Sequence, residues 1–141
     1  MSLGDQYRFI VDTCYYFDKI AKDVDDTQRN CGIVFGPNRH GKLMEPTSMA
    51  VVQKLYAMAK EFIQDNKDVL TGFEKVDNAG SMKHSSNGVM AQIQPWLNTG
   101  SDVDDSGQPY MRFYPNRDPV EWHDGVNEHS GFHNYAICES F

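Results

Sequence analysis

The chain has 141 residues, a net charge of −7, 40% hydrophobic and 23% charged residues. That length suits one domain, and eight Phe, seven Tyr and two Trp exclude a disordered chain. The acidic balance excludes a broad face for nucleic-acid backbones and favours a basic partner.

Helical spacing comes first. Tyr7, Ile10, Val11, Cys14, Phe17 and Ala21 recur at steps of three and four, which predicts a helix over about residues 5–23. The polar run DVDDTQRN ends it. CGIVF, residues 31–35, is short, β-branched and aromatic, and predicts a strand. The loop GPNRHG follows, and KLM is a second short strand or exit chain. The clearest element is a helix over about 47–65. Thr47 caps it, and Met49, Val52, Leu55, Tyr56, Ala59, Phe62 and Ile63 form its apolar stripe. A further turn is expected through Val69 and Leu70 to Gly72.

After Gly72 the texture turns to strands and loops. GFEKV is a candidate strand and residues 78–88 a loop. Val89, Ala91 and Ile93 alternate like a half-buried strand that stops at Pro95. YMRFY, residues 110–114, alternates with Met111 and Phe113 on one face. Residues 116–134 look long and irregular, and YAICESF makes a last strand. Helices early and strands late predict an α+β fold: one domain over 1–141, two principal helices on a mostly antiparallel sheet of four to six short strands. DVDD occurs twice, with no similarity around the copies.

GIVFGPNRHGKL carries Gly36, Gly41 and Lys42 at the spacing of a phosphate-binding loop. Leu43 occupies the magnesium-ligand position, and Pro46 and Thr47 start the helix too late to present its positive end to a phosphate. Arg39, His40 and Lys42 are still the most basic spot in an acidic chain, so a small-anion or ligand site there is one alternative.

A second alternative is a divalent metal held by His123, His129, His133 and Glu128, since imidazole and carboxylate suit zinc, iron or manganese. Gly131 between His129 and His133 argues against a helix that would align them. DVDDSG, residues 102–107, starts like a calcium loop, but Phe113 stands where the bidentate Glu belongs. Cys138, in the last strand, follows His133 and Asn134, yet closeness in sequence does not make an activated thiolate. Trp122 and Phe132, in polar irregular chain near Arg117, are candidate exposed anchors for a partner.

Cys14, Cys31 and Cys138 are odd in number and lack a C-x-x-C pair, so reduced thiols in a cytoplasmic protein are expected. MSLGDQYRF lacks the pattern of a secretory leader, and Met1–Leu3 has the look of a cloning remnant. No apolar run approaches the ~20 residues of a membrane helix. No complete catalytic motif and no known family's motif is present. The expectation is a small acidic binding protein of the inhibitor or immunity type. No cofactor is expected beyond the candidate metal, and the partner would be a protein rather than nucleic acid or membrane.

Overall fold

A computed structural model describes residues 6–65, 67–76, 81–93, 95, 110–126 and 134–141. Ten elements follow in order: β1 (Tyr7–Ile10), β2 (Thr13–Lys22), α1 (Val24–Cys31), β3 (Gly41–Leu43), α2 (Met49–Phe62), β4 (Val69–Lys75), β5 (Met82–His84), β6 (Tyr110–Tyr114), β7 (Glu121–Val126) and β8 (Asn134–Ser140).

The expected first helix is a β-hairpin. Tyr7 pairs with Tyr16 and Ile10 with Thr13, leaving Val11 and Asp12 as a two-residue turn. Val11 takes a positive φ of 59°, unusual for a β-branched residue. Aromatic and β-branched side chains favour the pleated surface, and burial of Tyr15 and Phe17 follows period two.

The next two expectations exchange places. DVDDTQRN forms a helix, because the Asp23 side chain accepts from the Asp26 amide at 2.8 Å and Asp25 and Asp26 stand in the positive first turn. Val24, Thr27 and Cys31 form its buried face. CGIVF is not a strand: Cys31 ends α1, and Val34 is held by Tyr7, whose hydroxyl donates to the Val34 carbonyl at 2.7 Å. A β-carbon at Gly41 would overlap the Cys31 carbonyl oxygen and the Phe35 ring, so this glycine permits a close crossing. The second helix is found, capped by Ser48 rather than Thr47. Val69 and Leu70 open a strand instead of extending a turn, and residues 89–93 contribute one isolated bridge, at Met90, instead of a strand. The irregular stretch contains β7.

The strands form one sheet in the order β1-β2-β8-β4-β6-β7, with β3 on β8 and β5 on β4. Eight strands exceed the expected four to six. Most pairs are antiparallel, but β4 and β8 run parallel, pairing Val69 with Tyr135 and Leu70 with Ala136. Alternation places the sheet between the helices. Val69, Phe113, Trp122 and Ile137 pack with Val52, Leu55, Tyr56 and Ala59 of α2. Their neighbours Leu70, Ala136 and Cys138 pack on the other side with Val24 and Cys31 of α1.

The thiols also depart from expectation. Cys31 and Cys138 form a disulfide, with Cα atoms 5.3 Å apart, that ties the end of α1 to β8. Cys14 is free.

Candidate functional site

β8 pairs with β2 and β4 and so joins the two halves of the sheet, and β3, which pairs on its last residues, supplies one wall of a polar cleft. Lys42 lies opposite Glu139 in the β3–β8 ladder. The cleft, of about 210 Å³, is lined by Gln28, Gly41, Lys42, Leu43, Glu45, Ser85 and Ser86. Buried Glu45 is its hub. It accepts from the Ser86 hydroxyl at 2.6 Å and the Ser86 amide at 3.0 Å, and pairs with Lys42 Nζ at 2.9 Å. His84 Nδ1 approaches the same carboxylate at 3.9 Å, and the buried His84 Nε2 has no hydrogen-bond partner among the described residues. Ammonium, carboxylate, hydroxyl and amide thus stand side by side and satisfy one another across the cleft.

Glu139 lies beneath this hub and accepts from the Glu45 amide. Burial pushes its carboxyl up to about 7, and the Glu45 carboxylate adds to the rise, while the amide and Lys42 oppose it. Beyond Glu139 a wider groove, of about 550 Å³, runs past Asp12, Asn38, Arg39, His40, Ser140 and Phe141. Lys42 Nζ stands 4.8 Å from the Phe141 ring centre, and His40 meets the same ring.

Gly72 lets β4 pass the hub. A β-carbon there would stand 2.7 Å from Glu45 Cγ and 2.7 Å from the Leu43 carbonyl oxygen. Gly72→Ala should therefore cost about 2 kcal/mol through overpacking. Urea unfolding measures this, and an unchanged midpoint would mean that β4 does not pass the hub this closely.

A second polar face lies on the β6–β7 hairpin. Glu121 accepts from His123 Nε2 at 3.1 Å and from Arg117, and these two bonds, His123 first, hold its carboxyl below the ordinary value. The Arg117 guanidinium lies 3.9 Å from the Tyr114 ring centre, with Arg112 at 5.5 Å.

No protein-family model matches the chain, and no curated protein matches it significantly. Solved structures do. The C-type lectin CEL-I from Cucumaria echinata superposes with a TM-score of 0.75 at 14% identity, over 96% of this chain and 95% of that one. The fold is that of C-type lectin-like domains. Human lithostathine matches with a TM-score of 0.72 at 18% identity, over 98% of this chain and 90% of that one. The Ca²⁺-independent C-type lectin SPL-2 from Saxidomus purpuratus gives 0.74 at 14% identity, over 96% and 91%.

On this lectin-like framework the sequence-predicted residues separate. Arg39, His40 and Lys42 gather around Glu139 and Phe141. Arg117 and His123 meet on the hairpin, 3.4 Å apart. Trp122, expected as an exposed anchor, is buried on the opposite face of β7, where its Nε1 donates to the Tyr56 hydroxyl at 2.6 Å. Phe132, Glu128, His129 and His133, together with the calcium-like loop at 102–107, lie outside the described residues. Among the described residues no three His, Cys, Asp or Glu side chains group to hold a metal, and His123 is engaged by Glu121 and Arg117. Cys138 is no nucleophile, because its sulfur is in the disulfide. Sequence reading missed Glu45, His84, Ser86 and Glu139. The one local signal was acid in apolar chain, as in LMEP and AICES.

Proposed function

We propose that the chain is a ligand-binding domain that recognises a glycan and carries out no bond-breaking step. The observation that supports this is the lectin-like fold itself, matched over 96% of the chain to a protein named as a lectin. Two described faces offer polar contacts, the Lys42–Glu45–Ser86 cleft and the Arg117–Glu121–His123 hairpin. The net charge of −7 favours a basic protein surface as a second class of partner. The disulfide removes the ground for the expected cytoplasmic setting and favours an oxidising compartment.

A glycan array, followed by calorimetry with calcium added and then chelated, tests the reading. Saturable binding to one glycan class is expected. Lys42→Ala or His123→Ala, whichever weakens binding about tenfold, assigns the contact to its face; the lost energy would be about 1.4 kcal/mol. An array with no saturable signal under either calcium condition would overturn the glycan reading and leave the basic protein surface to be sought.

A further inference from the structure

Arg39 is the exception among the arginines. Arg8, Arg29, Arg112 and Arg117 each meet a carboxylate, on Glu61, Asp26, Asp68 and Glu121. Among the described residues the Arg39 guanidinium pairs with none, although the chain carries twenty Asp and Glu against thirteen Lys and Arg. The ring of its neighbour His40 makes no hydrogen bond among the described residues either, and both residues are exposed. So acidic a chain offers its cations carboxylates freely. A guanidinium held clear of them keeps its donor fork open to an outside anion.

Both side chains line the groove of about 550 Å³ beyond Glu139. A cavity of about 150 Å³ takes a benzene ring, so this groove has room for about three six-membered rings. Phe141 supplies a flat wall. Its amide donates to the His40 carbonyl at 3.0 Å, which fixes the backbone, yet the residue is 67% exposed. A large ring pinned in the open is a contact surface. Its negative π face suits the weakly positive C–H bonds on the flat side of a sugar ring. Lys42 and His40 edge that platform with donors. The Ser140 oxygen accepts from the Cys14 amide at 3.2 Å, which leaves its proton to donate into the groove. The two acids of the groove are turned aside. Glu139 accepts from the Glu45 amide, and burial keeps its proton up to about pH 7. Asp12 accepts from the Thr13 hydroxyl at 3.2 Å.

The adjoining cleft differs, because Lys42, Glu45 and Ser86 already satisfy one another there. The unmet donors are in the groove. We propose that this groove binds a negatively charged saccharide, whose acid group pairs with Arg39 and accepts from His40 while a ring lies on Phe141. The proposal rests on the glycan reading and deepens it, by giving the ligand a charge and a place on the β3–β8 face. The guanidinium fork matches either a carboxylate or a sulfate. The net charge of −7 repels a long polyanion, whereas salt screens charges beyond about 8 Å and lets the local cations prevail. The ligand therefore carries isolated acid groups among neutral rings.

NMR titration of the isotope-labelled whole chain is the test. The probes are glucuronic acid and galactose 6-sulfate, each beside its neutral parent, glucose or galactose, with inorganic sulfate as control. The amides of residues 38–42 and of Phe141, except proline, should move on saturation with one or both charged sugars. Binding should be about tenfold tighter than for the neutral parent and for inorganic sulfate. The tighter of the two charged sugars decides between carboxylate and sulfate. Arg39→Gln and Phe141→Ala should each weaken binding about tenfold without lowering the melting temperature, because both residues are exposed. Arg39→Gln should also flatten the dependence on salt. Charged and neutral sugars that bind equally, or inorganic sulfate that binds as tightly, would overturn the proposal. So would binding that ignores both variants and moves the amides of residues 121–123, and the glycan reading would then stand on the hairpin. If the array shows a saturable glycan but neither charged sugar moves an amide, this proposal alone fails; an array without signal removes both.

Discussion

Reducing the Cys31–Cys138 disulfide should destabilise the domain by about 4 kcal/mol, the largest effect we expect of any single covalent change. The two cysteines are separated by 107 residues in sequence, so the cross-link removes much of the freedom of the unfolded chain. In the folded state both lie fully buried between α1 and β8, so cleavage also loosens the packing of Val24, Leu43 and Ala136. The measurement is urea unfolding with and without reductant, repeated on Cys31→Ala with Cys138→Ala. The double variant should match the reduced protein, which separates the cross-link from any reaction at Cys14. That third thiol is poorly placed to exchange, because burial raises its pKa even though Arg39 opposes the shift. A midpoint unmoved by reductant would show that the pair is not joined.

The pairing also shows where sequence reasoning stops. Three cysteines without a local pattern leave the connectivity open, and only the fold brings residues 31 and 138 together. The same limit explains the first helix. Tyr7, Ile10, Cys14 and Phe17 satisfy a period near 3.6, yet Tyr15 and Phe17 satisfy period two, and a short aromatic run cannot arbitrate. The turn at Val11 and Asp12 carries no glycine or asparagine to announce a hairpin. α2 was legible because fourteen residues repeat one stripe, although the cap was read one residue early, at Thr47 instead of Ser48. YMRFY and YAICES were legible because they alternate or run apolar over a strand's length.

The site divides along the same line. The basic loop could be seen in the sequence as chemistry, but its partners could not. Glu45 and Glu139 are 94 residues apart and meet only because β3 and β8 pair. The Gly36–Lys42 spacing that resembles a phosphate loop has a different physical use: Gly36 turns the chain at φ 93°, and Gly41 admits Cys31 and Phe35. Buried ionisable groups are costly, and their concentration at one cleft is the strongest sign that this corner has a task other than stability.

Glu139→Gln should make the domain more stable above neutral pH, by up to about 3 kcal/mol. The Glu139 carboxyl titrates near pH 7 in the folded chain against a reference of 4.5. Between those values the folded state keeps a proton that the unfolded state has released. Stability from this group is therefore complete below about pH 4.5, falls as pH rises, and is lost once pH passes about 7. Glutamine keeps an oxygen to accept from the Glu45 amide and carries no charge to desolvate, and its amide hydrogens face the Glu45 carboxylate. The variant and the parent chain should thus be nearly equal at pH 5 and diverge at pH 8, in thermal or urea unfolding. Taking the difference between the two chains cancels every other titrating group. Parallel stability curves across that range would mean that Glu139 ionises without penalty, and the acid hub beneath the cleft would then be open to water rather than sealed by β3, β4 and β8.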